Sequence, residues 1–201
     1  MLSMEPVVAM PSRDLPFAWA KIDPARQWLA LSGAGDDAEV ALLVAILAKE
    51  NDVPDGASIV ETVELLGVAE PFTVDGGLRV RHGDFVLEPS CCGVLSDWRG
   101  WEGLEPGALT PWMGHDPAPW VATNADAAVI YLDGGAENDR PTTSEHVRVS
   151  YVEIAAALAK AVADLEGFQK RLEAWLARHA PGNTTLGPHF RDMFVRLPES
   201  A

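Results

Sequence analysis

A long apolar stripe in the last quarter of the chain is the feature that most constrains the fold. Ser150 and Glu153 have the spacing of a capping box, which commonly opens a helix. The apolar residues that follow recur every three or four positions, at Ile154, Leu158, Ala161, Leu165, Phe168, Leu172 and Trp175. This spacing predicts one amphipathic helix over 151–179 whose stripe packs inside the fold. The alternative use of such a stripe is the seam of a homodimer.

The first third of the chain also has strong helix signals. A short helix is predicted over Ala25–Leu31, after an Asp-Pro pair that suits a helix start. The next segment, Ala38–Ala48, is apolar on almost every side, which indicates a buried helix. A third helix is predicted to begin at the capping box of Ser58 and Glu61 and to end at Gly67, where left-handed backbone is expected.

Short runs of alternating apolar and polar residues predict β-strands in the middle of the chain. Asp75-Gly76-Gly77 is typical of a hairpin turn, and Gly83-Asp84 predicts a second turn. The predicted strands cover residues 72–74, 78–82, 85–87, 127–132 and 147–149, with a last edge strand over 190–197.

These elements together predict an α+β fold, in which an antiparallel meander of short strands is covered by helices and followed by a long C-terminal helix. The proline-rich residues 1–16 are expected to form a flexible arm. Residues 17–201 are expected to form a single domain. Within that domain, 23–67 is mainly helical, 70–150 holds the strands and the Trp/Cys-rich block, and 151–179 is the long helix.

The acidic residues are concentrated in one part of the chain. The net charge is −15, yet the residues from Tyr151 onward hold six acids and six bases, so the whole excess lies before that residue. Such a surface repels nucleic acid and anionic lipid, and it attracts a basic protein. It also favours solubility. We therefore predict a basic protein partner and no nucleic-acid or membrane partner.

The start of the chain and its cysteines indicate the compartment. The first sixteen residues lack the basic head and apolar run of a secretory signal, and no run approaches the roughly 18 apolar residues of a membrane span. The two cysteines are adjacent, which is a poor basis for a disulfide framework. A cytoplasmic protein is the expectation.

The segment Phe85–Trp120 carries the most chemically active residues. It holds both cysteines, four of the seven tryptophans and the only His-Asp pair. Trp98 and Trp101 are spaced for one face of a helix predicted over 94–104, and this face is expected to dock on the sheet. The proline-rich stretch 111–120 is predicted to be a fixed loop, whose Trp112 and Trp120 either pin it to the core or form a binding surface. Pinning to the core is the favoured interpretation.

Cys91 and Cys92 precede the predicted helix, where a thiol can become a nucleophile, and His115 with Asp116 is the nearest base with an orienting carboxylate. Neighbours in sequence usually point apart, however, and Asp116 before Pro117 also suits a turn. Acidic residues near the cysteines favour the neutral thiol, and free cysteines are usually buried. A buried, structural role for the two thiols is therefore favoured.

A zinc site is the other chemistry available to these residues. Cys91, Cys92, His115 and Asp116, with His82, are ligand types that zinc accepts. The sequence has neither the C-x-x-C nor the H-x-x-x-H spacing of common zinc sites. No metal and no cofactor are predicted on this basis.

The Cys-Cys-Gly of 91–93, the pair Trp98 and Trp101, and the run PWMGHDPAPW of 111–120 together resemble a block found in uncharacterised bacterial proteins. The resemblance spans about residues 76–132 and extends more weakly into the final helix. It implies no established activity, so no functional residue carries over. In size and charge the chain is similar to immunity proteins, which bind and neutralise toxins.

Two functions from different classes follow. The leading hypothesis is a non-enzymatic binding protein of immunity type. It engages a basic partner through six residues, namely Glu61, Glu64, Trp112, His115, Asp116 and Trp120. The alternative is a thiol- or metal-dependent hydrolase that uses Cys91 or Cys92 with His115 and Asp116. A purely structural, self-associating subunit is a third hypothesis.

Overall fold

The computed structural model describes residues 1–12, 15–69, 73–134 and 144–195, which form an α+β fold as predicted. The strands are β1 (Leu2–Ala9), β2 (Trp28–Ala30), β3 (Gly76–His82), β4 (Phe85–Leu87), β5 (Trp120–Thr123), β6 (Ala128–Tyr131) and β7 (His146–Val149). The helices are α1 (Asp37–Glu50), α2 (Ile59–Leu66), a 3-10 helix (Leu95–Trp101), α3 (Tyr151–His179), α4 (Leu186–Phe190) and a π-helical turn (Arg191–Val195). None of the helices in these described ranges is long and apolar enough to cross a membrane.

The strands form two sheets. One has four strands in the order β2-β1-β3-β4, and β3 and β4 form an antiparallel hairpin across the predicted Gly83-Asp84 turn. The other is an antiparallel sheet in the order β5-β6-β7. Its central strand β6 confirms the interior strand predicted over 127–132, and Ala128 and Ile130 on it are fully buried. Arg148 on β7 faces outward, as its alternation with valine predicts.

The described chain separates into two compact units, each built from two segments. Unit 1 comprises Met1–Val7 and Asp75–Val162, and unit 2 comprises Val8–Val74 with the residues from Ala163 onward. Strand β1 and helix α3 each contribute residues to both units.

Helix α1 confirms the predicted buried helix. Asp36 caps it by accepting a hydrogen bond from the Glu39 N–H at 3.2 Å. Every residue from Val40 to Ala48 is buried, as expected for a segment that is apolar on all sides.

Helix α2 begins at the predicted capping box of Ser58 and Glu61. Gly67 ends it in right-handed backbone with φ −66°, so the prediction of left-handed geometry was wrong. A Cβ at this position would lie 2.0 Å from Oγ1 of Thr185, which means that close packing, and not φ, requires the glycine.

Helix α3 confirms the predicted bounds of 151–179, and all seven residues of its apolar stripe are buried within a single chain. The packing interpretation is therefore confirmed, and the stripe is not available as a dimer seam. Arg171 on this helix donates to the backbone oxygens of Ser32 (2.8 Å) and Ala34 (2.6 Å). Gly167 lets the same loop approach, since a Cβ there would lie 2.6 Å from Cα of Gly33.

The N-terminal prediction was wrong. Residues 2–9 form strand β1, in which Leu2 and Met4 are buried and Val7 and Val8 are completely inaccessible, so this part of 1–16 is not a flexible arm. The alternation of apolar residues outweighs the prolines that suggested an arm. Ala25–Leu31 is also not a helix, because Trp28–Ala30 extends as strand β2.

Two further predictions were wrong, namely the hairpin turn at Gly76-Gly77 and the edge strand over 190–197. Gly76 and Gly77 lie inside strand β3 and do not form a hairpin turn. Within 190–197, residues 190–195 are helical where an edge strand was predicted, and 196–197 lie outside the described residues. Phe190 and Phe194 are buried while Asp192 between them is exposed, which fits a helical period and not the period of two of a strand.

Candidate functional site

An isolated β-bridge in unit 1 joins the two halves of the Trp/Cys-rich block. Cys91 and His115 are antiparallel partners, and the His115 N–H donates to the Cys91 carbonyl at 2.9 Å. The Ser90 N–H donates to the Met113 carbonyl at 3.0 Å. These bonds bring a cysteine pair and a histidine together although they are more than twenty residues apart in sequence.

The backbone on both sides of this bridge adopts conformations that L-residues rarely take. Cys92 has φ 65°, Asp116 has φ 58° and Gly114 has φ 92°. A Cβ at Gly114 would lie 2.6 Å from backbone atoms of Ser90 and Cys91. Only glycine therefore permits this close approach.

The three side chains converge at the surface. One ligand atom from each of Cys91, Cys92 and His115 lies within 4.8 Å of the others, and the two Sγ atoms are 3.4 Å apart. Both cysteines are free and exposed, and the His115 side chain is 45% exposed. The prediction that the thiols are buried was therefore wrong. Among the described residues, His82 is not part of this group.

Asp116 lies beside the group and contacts His115. Its Oδ2 is 3.1 Å from Nδ1 of the imidazole, so these sequence neighbours do not point apart as expected. The left-handed backbone at Asp116, followed by the cis peptide bond to Pro117, accompanies this arrangement. The histidine and carboxylate of the predicted pair are thus in contact.

The surroundings of Cys91 disfavour its thiolate. The hydrogen bond with Cys92 is the main cause of a raised pKa, and the charge of Cys92, burial and the carboxylates of Asp116 and Asp75 add to it. At neutral pH the thiol of Cys91 is consequently protonated. A neutral thiol is a poor nucleophile.

The two loop tryptophans differ in exposure. Trp112 is 51% exposed, and its Nε1–H donates to the Cys92 carbonyl at 3.2 Å. Its ring lies 6.3 Å from that of His115, in an edge-on orientation. Trp120 is half-buried and belongs to strand β5. Pinning to the core, favoured for both, was therefore wrong for Trp112.

Trp98 and Trp101 are buried, as predicted for the docking face of their helix. The helix itself is a short 3-10 helix and not an α-helix over 94–104. Oδ2 of Asp97 accepts the Val94 N–H at 2.8 Å at its start, and burial raises the pKa of this carboxyl.

A second surface lies on helix α2 in unit 2. Val60, Leu65 and the following Val68 are 45%, 44% and 73% exposed, although all three are large hydrophobic residues. Glu61 and Glu64 are exposed between them. These apolar residues were not recognised in the sequence, where a signal existed: Val60 lies at the edge of the helix face that Val63 and Leu66 share, and Leu65 lies outside that face.

The α2 surface borders two clefts. Val60, Glu64 and Val68 line one of about 470 Å³ together with the turn over 180–185. Glu61, Glu64 and Leu65 line another of about 460 Å³ together with residues 54–57. Hydrogen bonds from the Ser58 side chain and backbone lower the pKa of Glu61, so this carboxylate stays charged to a lower pH than usual.

No protein-family model matches the chain, and no curated protein or solved structure matches it at a significant level. The likeness of residues 76–132 to bacterial proteins stays a prediction. Function is inferred from the two surfaces just described.

Proposed function

We propose that this chain is a non-enzymatic, cytoplasmic binding protein of immunity type, which engages a basic protein segment through the α2 surface. The observation that carries the proposal is the combination of exposed apolar side chains with exposed carboxylates on one short helix. Large exposed hydrophobic residues grouped in this way are typical of interaction sites. No cofactor is needed for this role.

The clefts beside α2 suit the side chains of lysine and arginine. These residues lay an apolar stem along a hydrophobic surface and keep the charged head in water. Val60 and Leu65 offer the apolar contact, and Glu64, which lines both clefts, offers a carboxylate to the head. The lining thus supports a partner that presents basic and apolar residues together.

The charge around α2 favours the same partner. Residues 27–78 hold ten acids and a single base, Lys49. That lysine is paired with Asp55, with Nζ and Oδ1 3.5 Å apart. A field of one sign speeds the encounter with an oppositely charged partner and repels nucleic acid.

Trp112, His115 and Asp116 are proposed as a second contact surface, on unit 1. Half-exposed tryptophans are common anchors of protein interfaces. The half-buried Trp120 offers less surface to a partner. Substitution of Trp112 by alanine tests this contact separately from the α2 surface.

Affinity capture from a lysate of the source organism tests the proposal, with the full chain as bait. The probe variant combines Glu61→Gln with Glu64→Gln, because glutamine at 61 retains the capping box. The matched control combines Glu105→Gln with Glu166→Gln, which removes two exposed carboxylates elsewhere. We expect a basic partner whose affinity falls about two- to fivefold per charge in the probe variant and much less in the control.

Two results contradict the α2 proposal. One is the absence of any basic partner that salt displaces from the bait. The other is an equal loss of affinity in the probe and control variants, which would indicate a general effect of net charge. Leu65→Ser adds a test of the apolar contact and should weaken the same partner.

A hydrolase is the second candidate, and the convergence of Cys91, Cys92, His115 and Asp116 favours it. The raised pKa of Cys91 disfavours a thiolate nucleophile there, so the metal-dependent form is the stronger version. An assay of activated esters with the reduced protein, with and without added zinc, tests this candidate. Zinc-stimulated turnover that Cys92→Ser and His115→Ala abolish would support it.

A further inference from the structure

We propose that Cys91, Cys92 and His115 form an open binding site for one Zn²⁺ ion. The site lies in unit 1 and does not depend on the docking role of α2. Two thiolates and an imidazole are a ligand set that zinc prefers. Three protein ligands leave the fourth tetrahedral position for water or for a group of a bound molecule.

The distances are close to those that zinc requires. Tetrahedral zinc with Zn–S of about 2.3 Å and Zn–N of about 2.0–2.1 Å places two sulfurs about 3.8 Å apart, and a sulfur and a nitrogen about 3.6 Å apart. The Sγ atoms of Cys91 and Cys92 are 3.4 Å apart, and all three ligand atoms lie within 4.8 Å of one another. Side-chain movements of about an ångström therefore suffice to bring the three ligand atoms to the separations that one zinc ion requires.

The backbone explains how adjacent cysteines share one ion. In an extended chain, successive side chains point to opposite faces. The left-handed φ of 65° at Cys92 breaks that alternation and brings the second thiol to the side of the first. The β-bridge between Cys91 and His115 then supplies the third ligand without a C-x-x-C or H-x-x-x-H motif.

Asp116 is not one of the three proposed ligands, but it supports the site through its contact with His115. When Nδ1 of His115 carries the proton, it donates to the carboxylate 3.1 Å away and leaves Nε2 as the ligand. Such carboxylate–histidine pairs fix the ring and raise its basicity in zinc proteins. Asp116 is therefore a positioning residue, and its charge also favours a nearby cation.

Zinc binding at this site is coupled to protons. The ion displaces one proton from each thiol, while neutral His115 contributes a lone pair: two S–H bonds break, two Zn–S bonds form, and two protons enter solution. The charged and titratable groups near Cys91 are Cys92, His115, Asp116 and Asp75. Because these two protons are released on binding, the apparent affinity should rise with pH.

Zinc titration of the reduced full-length protein, in competition with a chromogenic chelator, tests the proposal. Cobalt(II) serves as a second probe, because thiolate ligands give it an intense charge-transfer absorption. We expect one ion per chain and a thiolate-to-cobalt band. Cys91→Ser, Cys92→Ser and His115→Ala should each abolish stoichiometric binding, and Asp116→Asn should weaken it roughly 10- to 100-fold.

His146→Ala is the matched control, since His146 is an exposed histidine of the same unit outside the group. It should retain full zinc affinity, and circular dichroism checks that every variant is folded. Absence of stoichiometric binding by the folded, reduced protein overturns the proposal. So does a cobalt spectrum without a thiolate band, or binding that survives both cysteine substitutions, because either result indicates adventitious surface binding.

Discussion

Three non-glycine residues among those described have a positive φ, namely Asp52, Cys92 and Asp116. Left-handed backbone costs an L-residue about 1–2 kcal/mol. Two of the three belong to the Cys91–His115 region, where they direct the thiol and the carboxylate toward their neighbours. Strained backbone that persists in this way is characteristic of functional sites.

Gly114→Ala should destabilise the protein and remove its zinc affinity. The new Cβ would meet backbone atoms of Ser90 and Cys91 at 2.6 Å, in addition to the unfavourable φ. Gly107→Ala is the matched control, because Gly107 also has a positive φ, of 86°, but has no atom within 4 Å of a new Cβ. In urea unfolding, we expect the control to lower the free energy of unfolding by about 1–2 kcal/mol and Gly114→Ala to lower it by more. Equal losses would contradict the steric explanation.

Asp97→Asn should stabilise the protein increasingly as the pH rises. Burial raises the pKa of Asp97, so the folded wild type binds a proton more tightly than the unfolded chain. The wild type therefore loses stability as the pH rises from the usual value of 3.8 through the folded pKa. Asparagine does not titrate and still accepts the Val94 N–H. Urea unfolding between about pH 3 and 7 should show a widening difference, and a constant difference would refute this.

The sequence was sufficient to single out Cys91, Cys92, His115 and Asp116, because their residue types are chemically distinctive. It could not predict their convergence. That depends on left-handed backbone at Cys92 and on the contact of Gly114 with a segment more than twenty residues away. No local pattern in the sequence contains that information.

Secondary-structure elements show the same distinction between local sequence patterns, which were predictable, and contacts distant in sequence, which were not. The capping boxes at Ser58 and Ser150 were predicted correctly because each depends on residues three apart in sequence. Gly76 and Gly77 were misread as a turn. Gly77 lies inside a strand with φ 147°, and a Cβ there would lie 3.3 Å from Cγ of Pro89, so both its backbone conformation and this close contact favour glycine. Such a contact is not visible in local sequence.

Gly167→Ala should destabilise the protein although alanine is the better helix former. In an isolated helix the change would gain about 1 kcal/mol. Here the Cβ would lie 2.6 Å from Cα and 2.9 Å from N of Gly33, so we expect a net loss of about 1–3 kcal/mol in urea unfolding. The exposed neighbour Glu166→Ala should change stability by less than about 0.5 kcal/mol. A gain in stability for Gly167→Ala would contradict the close packing of this helix on the loop.

At the scale of the whole molecule, net charge is the dominant property. A charge of −15 on 201 residues produces self-repulsion in the folded state, which salt screens. We expect the Tm to rise by about 2–4 °C between low and moderate sodium chloride, which corresponds to about 1 kcal/mol. Sucrose of equal osmolality is the control for non-ionic effects. A Tm that falls with salt would mean that ion pairs outweigh the repulsion.

The fold class was predictable from hydrophobic periodicity, because the apolar stripe of the helix and the alternation in the strands both extend over several residues. The role of the N-terminal residues was not, because Leu2 and Met4 are buried only where later strands provide a partner surface. Charge distribution predicted the acidic helix α2, but not the hydrophobic residues exposed beside its carboxylates.

The interleaving of the two units has a consequence for biosynthesis. Residues 1–7 are translated well before the rest of their unit, which begins only at residue 75. Unit 2 is completed later, because its second segment begins only at residue 163. Unit 1 is complete only once residue 162 has been translated, unit 2 is completed by later residues, and no single proteolytic cut releases either one whole.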